Sequence, residues 1–191
     1  MPTILVSARK PFNFISVLNS HGWRQLAPFS YAENTNVLSY ILRLSNGRVI
    51  ELKLRDGMDG IVVETEKLNK AERKEVVDKV TWMFGLDMDF SLFYTASRAE
   101  PKLAHAKKLA RGRVLRSPTL FEDVIKTILT TNTLWGATKN MTLKLVNEFG
   151  VALTSYPLGS GAADEVEAPV KKAFPTPEAI ATSSPEFLKE K

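Results

Sequence analysis

The 191-residue chain contains no cysteine and only two histidines, His21 and His105. Without thiols there is no disulfide, no cysteine-ligated zinc or iron–sulfur cluster and no thiol nucleophile. Two isolated histidines leave little for a metal site, and no cofactor is expected. Long apolar runs are missing as well, since none approaches the ~20 residues needed to cross a bilayer. The N-terminal Met1-Pro2-Thr3-Ile4-Leu5-Val6 has no charged stretch before its short apolar one, which argues against a secretion signal. An intracellular protein without a membrane partner is expected. Hydrophobic residues at 44% and charged residues at 25% match ordinary globular composition, so a folded chain with a buried core follows.

Charge is unevenly placed. The net charge is +5, yet Arg98–Arg116 holds seven cations (Arg98, Lys102, Lys107, Lys108, Arg111, Arg113 and Arg116) against the single acid Glu100. The rest of the chain is close to neutral. A cationic stretch just ahead of the strongest helical pattern is a candidate phosphate contact; a solvated helix and loop would have the same composition.

Asn46-Gly47 supplies the positive φ angles of a tight turn, and the runs 37–45 and 48–54 on either side alternate with period two. Leu38, Tyr40, Leu42 and Leu44 share one face with Ile50, Leu52 and Leu54, leaving the other face wet. Ile61-Val62-Val63 offers a third strand, and 4–7 and 25–31 are weaker candidates. An antiparallel sheet is predicted. From about Asn69 to Phe84 the period becomes helical, with Val76, Val77, Val80, Met83 and Phe84 inward and Gly85 as the terminator. A short helix after Leu86 is predicted to carry Leu92 and Phe93 inward.

The clearest helix begins at Thr119, where Thr119 and Glu122 have the spacing of a capping box. Phe121, Val124, Ile125, Ile128 and Leu129 then form one apolar stripe. Thr130-Thr131-Asn132-Thr133 interrupts it. A second helix over about 135–149 is predicted to bury Thr138 or Met141, Leu145 and Phe149, with Gly150 as its cap. Two packed helices joined by a polar elbow are therefore expected. After Gly150 the composition turns small and polar over 158–165, Phe174-Pro175-Thr176-Pro177 leads into a short helix over 178–181, and a further helix is predicted to start near Pro185.

No nucleophile with a partner base, glycine-rich phosphate loop in a strand–loop–helix setting, or histidine pair with metal spacing is present. Pro157-Leu158-Gly159-Ser160-Gly161 does not serve as a phosphate-clamping hairpin, because no good helix pattern follows it. Asn132 sits at the polar elbow, where it either ends the helix in a left-handed conformation or projects a polar side chain outward. Trp135 reads as core rather than as a stacking platform, and His105 as a surface residue. Phe12, Phe14 and Trp23 read as packing for the sheet.

The string from Arg111 to Pro118 and then Phe121-Glu122-Asp123-Val124-Ile125-Lys126-Thr127-Ile128-Leu129-Thr130-Thr131-Asn132 resembles the DNA glycosylases of the helix-hairpin-helix superfamily, which include 8-oxoguanine and 3-methyladenine glycosylases. Phe84-Gly85-Leu86-Asp87, Glu148-Phe149-Gly150 and Phe174-Pro175-Thr176-Pro177-Glu178 occur in the family's order. The resemblance implies an α+β fold: an N-terminal antiparallel sheet domain like the TATA-binding-protein-like accessory domain (1–95), then the first part of a helical glycosylase domain (96–191). It also implies double-stranded DNA with a damaged base as partner. Asn132, flanked by Thr131 and Thr133, matches the position that fills the gap left by a flipped base, while Arg111, Arg113 and Arg116 become candidate phosphate contacts ahead of a helix N-terminus. Arg113 and Arg116 have Asp87, Asp89 and Glu122 as alternative partners.

In that family the hairpin, the catalytic aspartate and, in some branches, a catalytic lysine come after the Phe-Pro-Thr-Pro segment. This chain reaches Lys191 without them, so no catalytic residue is assigned. The expectation is an N-terminal glycosylase fragment that binds duplex DNA and helps flip a base in base excision repair, with the missing C-terminal half as a second partner. The competing expectations are a non-catalytic DNA-binding module and a protein-interaction domain that is basic by accident.

Overall fold

The computed structural model describes residues 1–153 and 170–184. The composition shift over 158–165, the Pro157–Gly161 run and the helix predicted from Pro185 lie outside the described residues. Five strands, β1 (Thr3–Ser7), β2 (Phe29–Ala32), β3 (Val37–Arg43), β4 (Val49–Gly57) and β5 (Gly60–Glu64), form one sheet in the order β1-β5-β4-β3-β2. All neighbours are antiparallel. The hairpin turns at Asn46-Gly47 as its residues require, with Gly47 at φ +88° and the pairs Leu38–Leu54, Tyr40–Leu52 and Leu42–Ile50 in register. The candidate at 4–7 is present as β1, whereas that at 25–31 is a strand only from Phe29, Gln25 belonging to a 3-10 turn over Trp23–Gln25 and 26–28 leading from it into β2.

The apolar face of the sheet packs on two helices, α1 (Phe14–Leu18) and α2 (Lys70–Phe84), in one core that includes Phe14, Val76, Val80, Met83 and Phe84. Phe14 stacks on Phe84 at 5.6 Å between ring centroids. Asn69 caps α2 and Glu72 completes a capping box. Glu72 also accepts from Arg48 and Asn46, which locks the helix start to the hairpin loop. Gly85 ends the helix at φ +56°, a conformation that carries little cost only for glycine.

The other sheet face is not wholly wet. Ile41 and Val49 are buried there against Leu153 and Ala173, where Ala152 and Lys172 form an antiparallel bridge and Lys171 reaches Glu51 at 2.7 Å. Period-two alternation identified Ile41 as outward but could not show that a distant segment covers it.

The helical part contains α3 (Ser91–Ser97), α4 (Leu120–Leu129), α5 (Trp135–Phe149) and α6 (Pro177–Ala181). Three expectations are corrected here. Leu92 is exposed and Phe93 half-buried, while Tyr94 and Ser97 are the buried residues of α3, Tyr94 donating its hydroxyl to the Arg111 carbonyl. On α5 Thr138 is buried as predicted, but its buried companions are Thr142 and Val146, while Met141, Leu145 and Phe149 are half-buried. The third concerns α4, whose predicted stripe is split: Phe121, Ile125 and Leu129 are half-buried, Val124 and Ile128 are exposed with Leu120 beside them, and the fully buried residues are Glu122 and Lys126. Thr119 does cap α4 by accepting from the Glu122 N–H, but the Glu122 carboxylate points into the protein instead of back to the cap. Gly150 follows α5 with ordinary negative φ. It is needed for a close approach, since a Cβ there would lie 2.4 Å from the Ala173 carbonyl oxygen.

Candidate nucleic-acid interface

The elbow between α4 and α5 spans Thr130 to Leu134. Thr130 and Thr131 each turn their hydroxyl back onto a carbonyl of α4 (Thr127 and Ile128, 2.6 and 2.7 Å). Thr138 closes the bend from the other side by donating to the Leu129 carbonyl at 3.0 Å. Asn132 lies between these bonds at φ +51° and is exposed. Both readings of this residue therefore coexist: it takes the left-handed conformation that ends a helix, and its amide faces solvent. Thr133 is half-buried beside it.

The basic stretch is largely on the surface. Lys102, Lys107, Lys108 and Arg111 are exposed. Arg111 follows Ala110 at φ +48° and precedes Gly112 at φ +118°, a bend in which a Cβ on Gly112 would press against the Phe90 and Phe93 rings at 3.1 Å. Arg116 is half-buried, with its guanidinium stacked 4.5 Å from the Trp82 ring.

Arg113 is different and is withdrawn from the candidate phosphate contacts. It is only 4% exposed and donates to the carbonyls of Gly85, Pro11, Arg9 and Met88 at 2.6–3.3 Å. Its guanidinium also lies 4.7 Å from the Phe90 ring. Four hydrogen bonds to backbone carbonyls in two segments, 9–11 and 85–88, make it a stitch between the chain start, the end of α2 and the basic stretch. None of the acids considered from sequence pairs with it: Asp89 is bound to Arg9 at 2.8 Å, and Glu122 to Lys126 at 2.6 Å.

A turn over 19–25 supports both the basic stretch and the elbow. Ser20 accepts from the Leu115 N–H at 3.0 Å, Trp23 donates its indole N–H to Asp123 at 2.7 Å, and Trp135 donates to Gln25 at 3.1 Å. His21 is half-buried, and burial lowers its pKa against the raising influence of the Leu115 backbone and Asp123. The open groove between α1 and the basic stretch, about 620 Å³, is lined by Asn13, Ser16, Asn19, Leu109, Arg111 and Val114.

Beneath α4 lies a buried polar chain that sequence reasoning did not find. Lys126 is fully buried and bonded to Glu122, whose second oxygen accepts the Tyr40 hydroxyl at 2.6 Å. The Lys126 ammonium sits 4.7 Å from the Phe29 ring and 5.6 Å from the Phe174 ring. Burial lowers its pKa, opposed by Glu122, and pushes the Tyr40 phenol well up. The only sequence signal was the i, i+4 spacing of Glu122 and Lys126, which reads as an ordinary surface pair.

No helix among the described residues is long and apolar enough to cross a membrane. No family model matches the sequence, and no curated protein matches it. The fold, however, is similar to that of solved proteins, among them the 3-methyladenine DNA-glycosylase from Archaeoglobus fulgidus, matched with a TM-score of 0.70 at 22% identity over 100% of this chain. The chain spans 61% of the length of that neighbour.

Proposed function

We propose that this chain supplies the sheet unit, the cationic surface and the gap-filling elbow of a DNA-repair glycosylase, acting on duplex DNA that contains a damaged base inside the cell. Residues 1–95 form the accessory unit and 96–191 the start of the helical unit. Asn132, with Thr131 and Thr133 beside it, enters the stack as the damaged nucleotide rotates out, a rearrangement that costs a few kcal/mol and needs the vacancy filled. Arg111 and Arg116, with the exposed lysines before them, contact phosphates. The observation that carries this reading is the elbow: an exposed amide in the left-handed conformation, held between two helices of a glycosylase fold.

The exposed stripe of Leu120, Val124 and Ile128 on α4, continued by Leu134 and Leu143, supports a second partner. A helix that buries a charged pair while leaving Leu120, Val124 and Ile128 to solvent is incomplete as a folded unit. In this reading the stripe is covered by a helical polypeptide corresponding to the part of the neighbour that the match leaves uncovered, and that polypeptide carries the catalytic groups.

Duplex retention across a salt series, combined with base-release assays on methylated and oxidised duplexes, tests the proposal. The chain alone is expected to bind duplex DNA with affinity that falls steeply as salt rises and to release no base. Salt-independent failure to bind contradicts the reading. Base release by the isolated chain overturns the assignment of catalysis to the partner, and binding without any base distortion returns the protein to a non-catalytic DNA-binding module.

A further inference from the structure

The start of α5 rests on a glycine. A Cβ added at Gly22 would lie 2.2, 2.5 and 3.0 Å from three atoms of the Trp135 indole, against the ~3.5–4.0 Å at which carbon atoms pack. The indole sits against a position that only glycine can occupy, and its N–H ends on the Gln25 side chain at 3.1 Å. Trp135 is the first residue of α5 and stands three positions from Asn132. Trp23, between Gly22 and Gln25 in the same turn, holds Asp123 in the first turn of α4. One short segment thus grips the helices on both sides of the elbow through two indole N–H groups. Asp123 is occupied further by the Ser117 N–H at 2.9 Å, which fixes the start of α4 on the same support.

We propose that Gly22 and Gln25 are positioning residues for the elbow: Gly22 seats the Trp135 indole and Gln25 receives its N–H, so that Asn132 is presented at one fixed angle. This rests on the glycosylase reading above and adds to it the element that sets the inserting geometry. A group pushed into a base stack must arrive on target, and a displacement of the order of 1 Å at a positioned group is enough to cost about two orders of magnitude in function. A methyl at Gly22 forces the rigid indole back by about that distance, and the shift passes directly into the first turn of α5. Phosphate contacts made by the basic stretch do not depend on the indole, so affinity and distortion separate.

The test uses Gly22→Ala and Gln25→Leu with a duplex carrying 2-aminopurine. Binding is measured by anisotropy, gap opening by 2-aminopurine fluorescence, and elbow order by amide hydrogen exchange across 130–134 in the DNA-free protein. Both variants are expected to bind duplex within about twofold of the parent, because phosphate contacts position without reading the stack. Both are expected to lose about tenfold in the open-gap population and to exchange faster at the elbow, while α2 and the sheet exchange as before. Elbow exchange equal to the parent's, or gap opening equal to the parent's, overturns the proposal. If the parent itself binds duplex with no 2-aminopurine response, the glycosylase reading fails instead, and elbow exchange still decides the positioning role. Gln25→Leu keeps the test open should Gly22→Ala not fold, since Gln25 is exposed and the change removes the acceptor of the Trp135 N–H at nearly constant side-chain size.

Discussion

Lys126→Met probes the orientation of α4, on which the position of the elbow depends. Lys126 is fully buried, bonded to Glu122 at 2.6 Å and held between the Phe29 and Phe174 rings. Methionine matches its length and is compatible with aromatic neighbours, so the packing term changes little. What remains is a Glu122 carboxylate with the Tyr40 hydroxyl but no cation, in a site only 2% exposed. Removing one member of a buried ion pair costs about 3–5 kcal/mol, because the other is stranded. For a chain of this length that corresponds to a fall of roughly 6–20 °C in melting temperature. Glu122→Gln combined with Lys126→Met removes both charges and keeps an acceptor for Tyr40, and the double variant is expected within about 1 kcal/mol of the parent. Urea and thermal unfolding at neutral pH read both. If Lys126→Met costs less than about 1 kcal/mol, as exposed pairs do, then α4 does not turn its charged face inward and the exposed elbow that follows from that orientation is wrong.

Other expectations follow from the same geometry. Arg113→Met leaves four carbonyl acceptors without their donor and is expected to lower stability by at least about 3 kcal/mol, seen as a large drop in melting temperature; a salt-slope change with unaltered melting would mean that Arg113 faces DNA after all. Arg111→Ala, at an exposed side chain without a partner among the described residues, is expected to leave melting unchanged and to reduce the slope of log affinity against log salt by about one. His21 accepts the Trp23 N–H at 3.1 Å, and burial lowers its pKa below 6.5. The unfolded chain therefore binds the proton first as pH falls, so stability is full above the unfolded pKa, declines as pH drops through 6.5 towards the folded value, and then levels off. The slope is bounded by one proton, about 1.4 kcal/mol per pH unit, and His21→Gln should flatten it; an unchanged slope assigns the proton elsewhere.

The sheet, the hairpin and the ends of α2 were readable because each rests on local rules. Asn46-Gly47 can hardly be anything but a tight turn between alternating strands, and Asn69 with Gly85 brackets a helix by its own capping chemistry. The errors arose where burial is decided by distant segments. Ile41 is outward by alternation yet covered by Leu153 and Ala173, and the stripe on α4 is real yet only partly sheltered, with Val124 and Ile128 exposed. Helical periodicity reveals that a stripe exists, not what meets it, and here a Glu–Lys–Tyr chain was the face that met the core. The elbow itself was legible from four consecutive polar residues between two apolar patterns. Its supports were not: Gly22, Gln25, Trp23 and Asp123 lie up to 113 residues from Trp135, the residue whose indole stands over Gly22. Nor does a charge count distinguish Arg113, consumed by backbone carbonyls, from Arg111, which is open to solvent.

The central claim is that the Asn132 side chain fills the vacancy left by a rotated nucleotide. It is tested most directly by comparing the parent chain with Asn132→Ala on one duplex carrying 2-aminopurine, with affinity and fluorescence measured on the same samples. The account predicts that Asn132→Ala keeps its grip on the duplex while the fluorescence rise that marks an opened stack is largely lost. A variant that opens the stack as fully as the parent, or that loses affinity and opening in equal proportion, contradicts it.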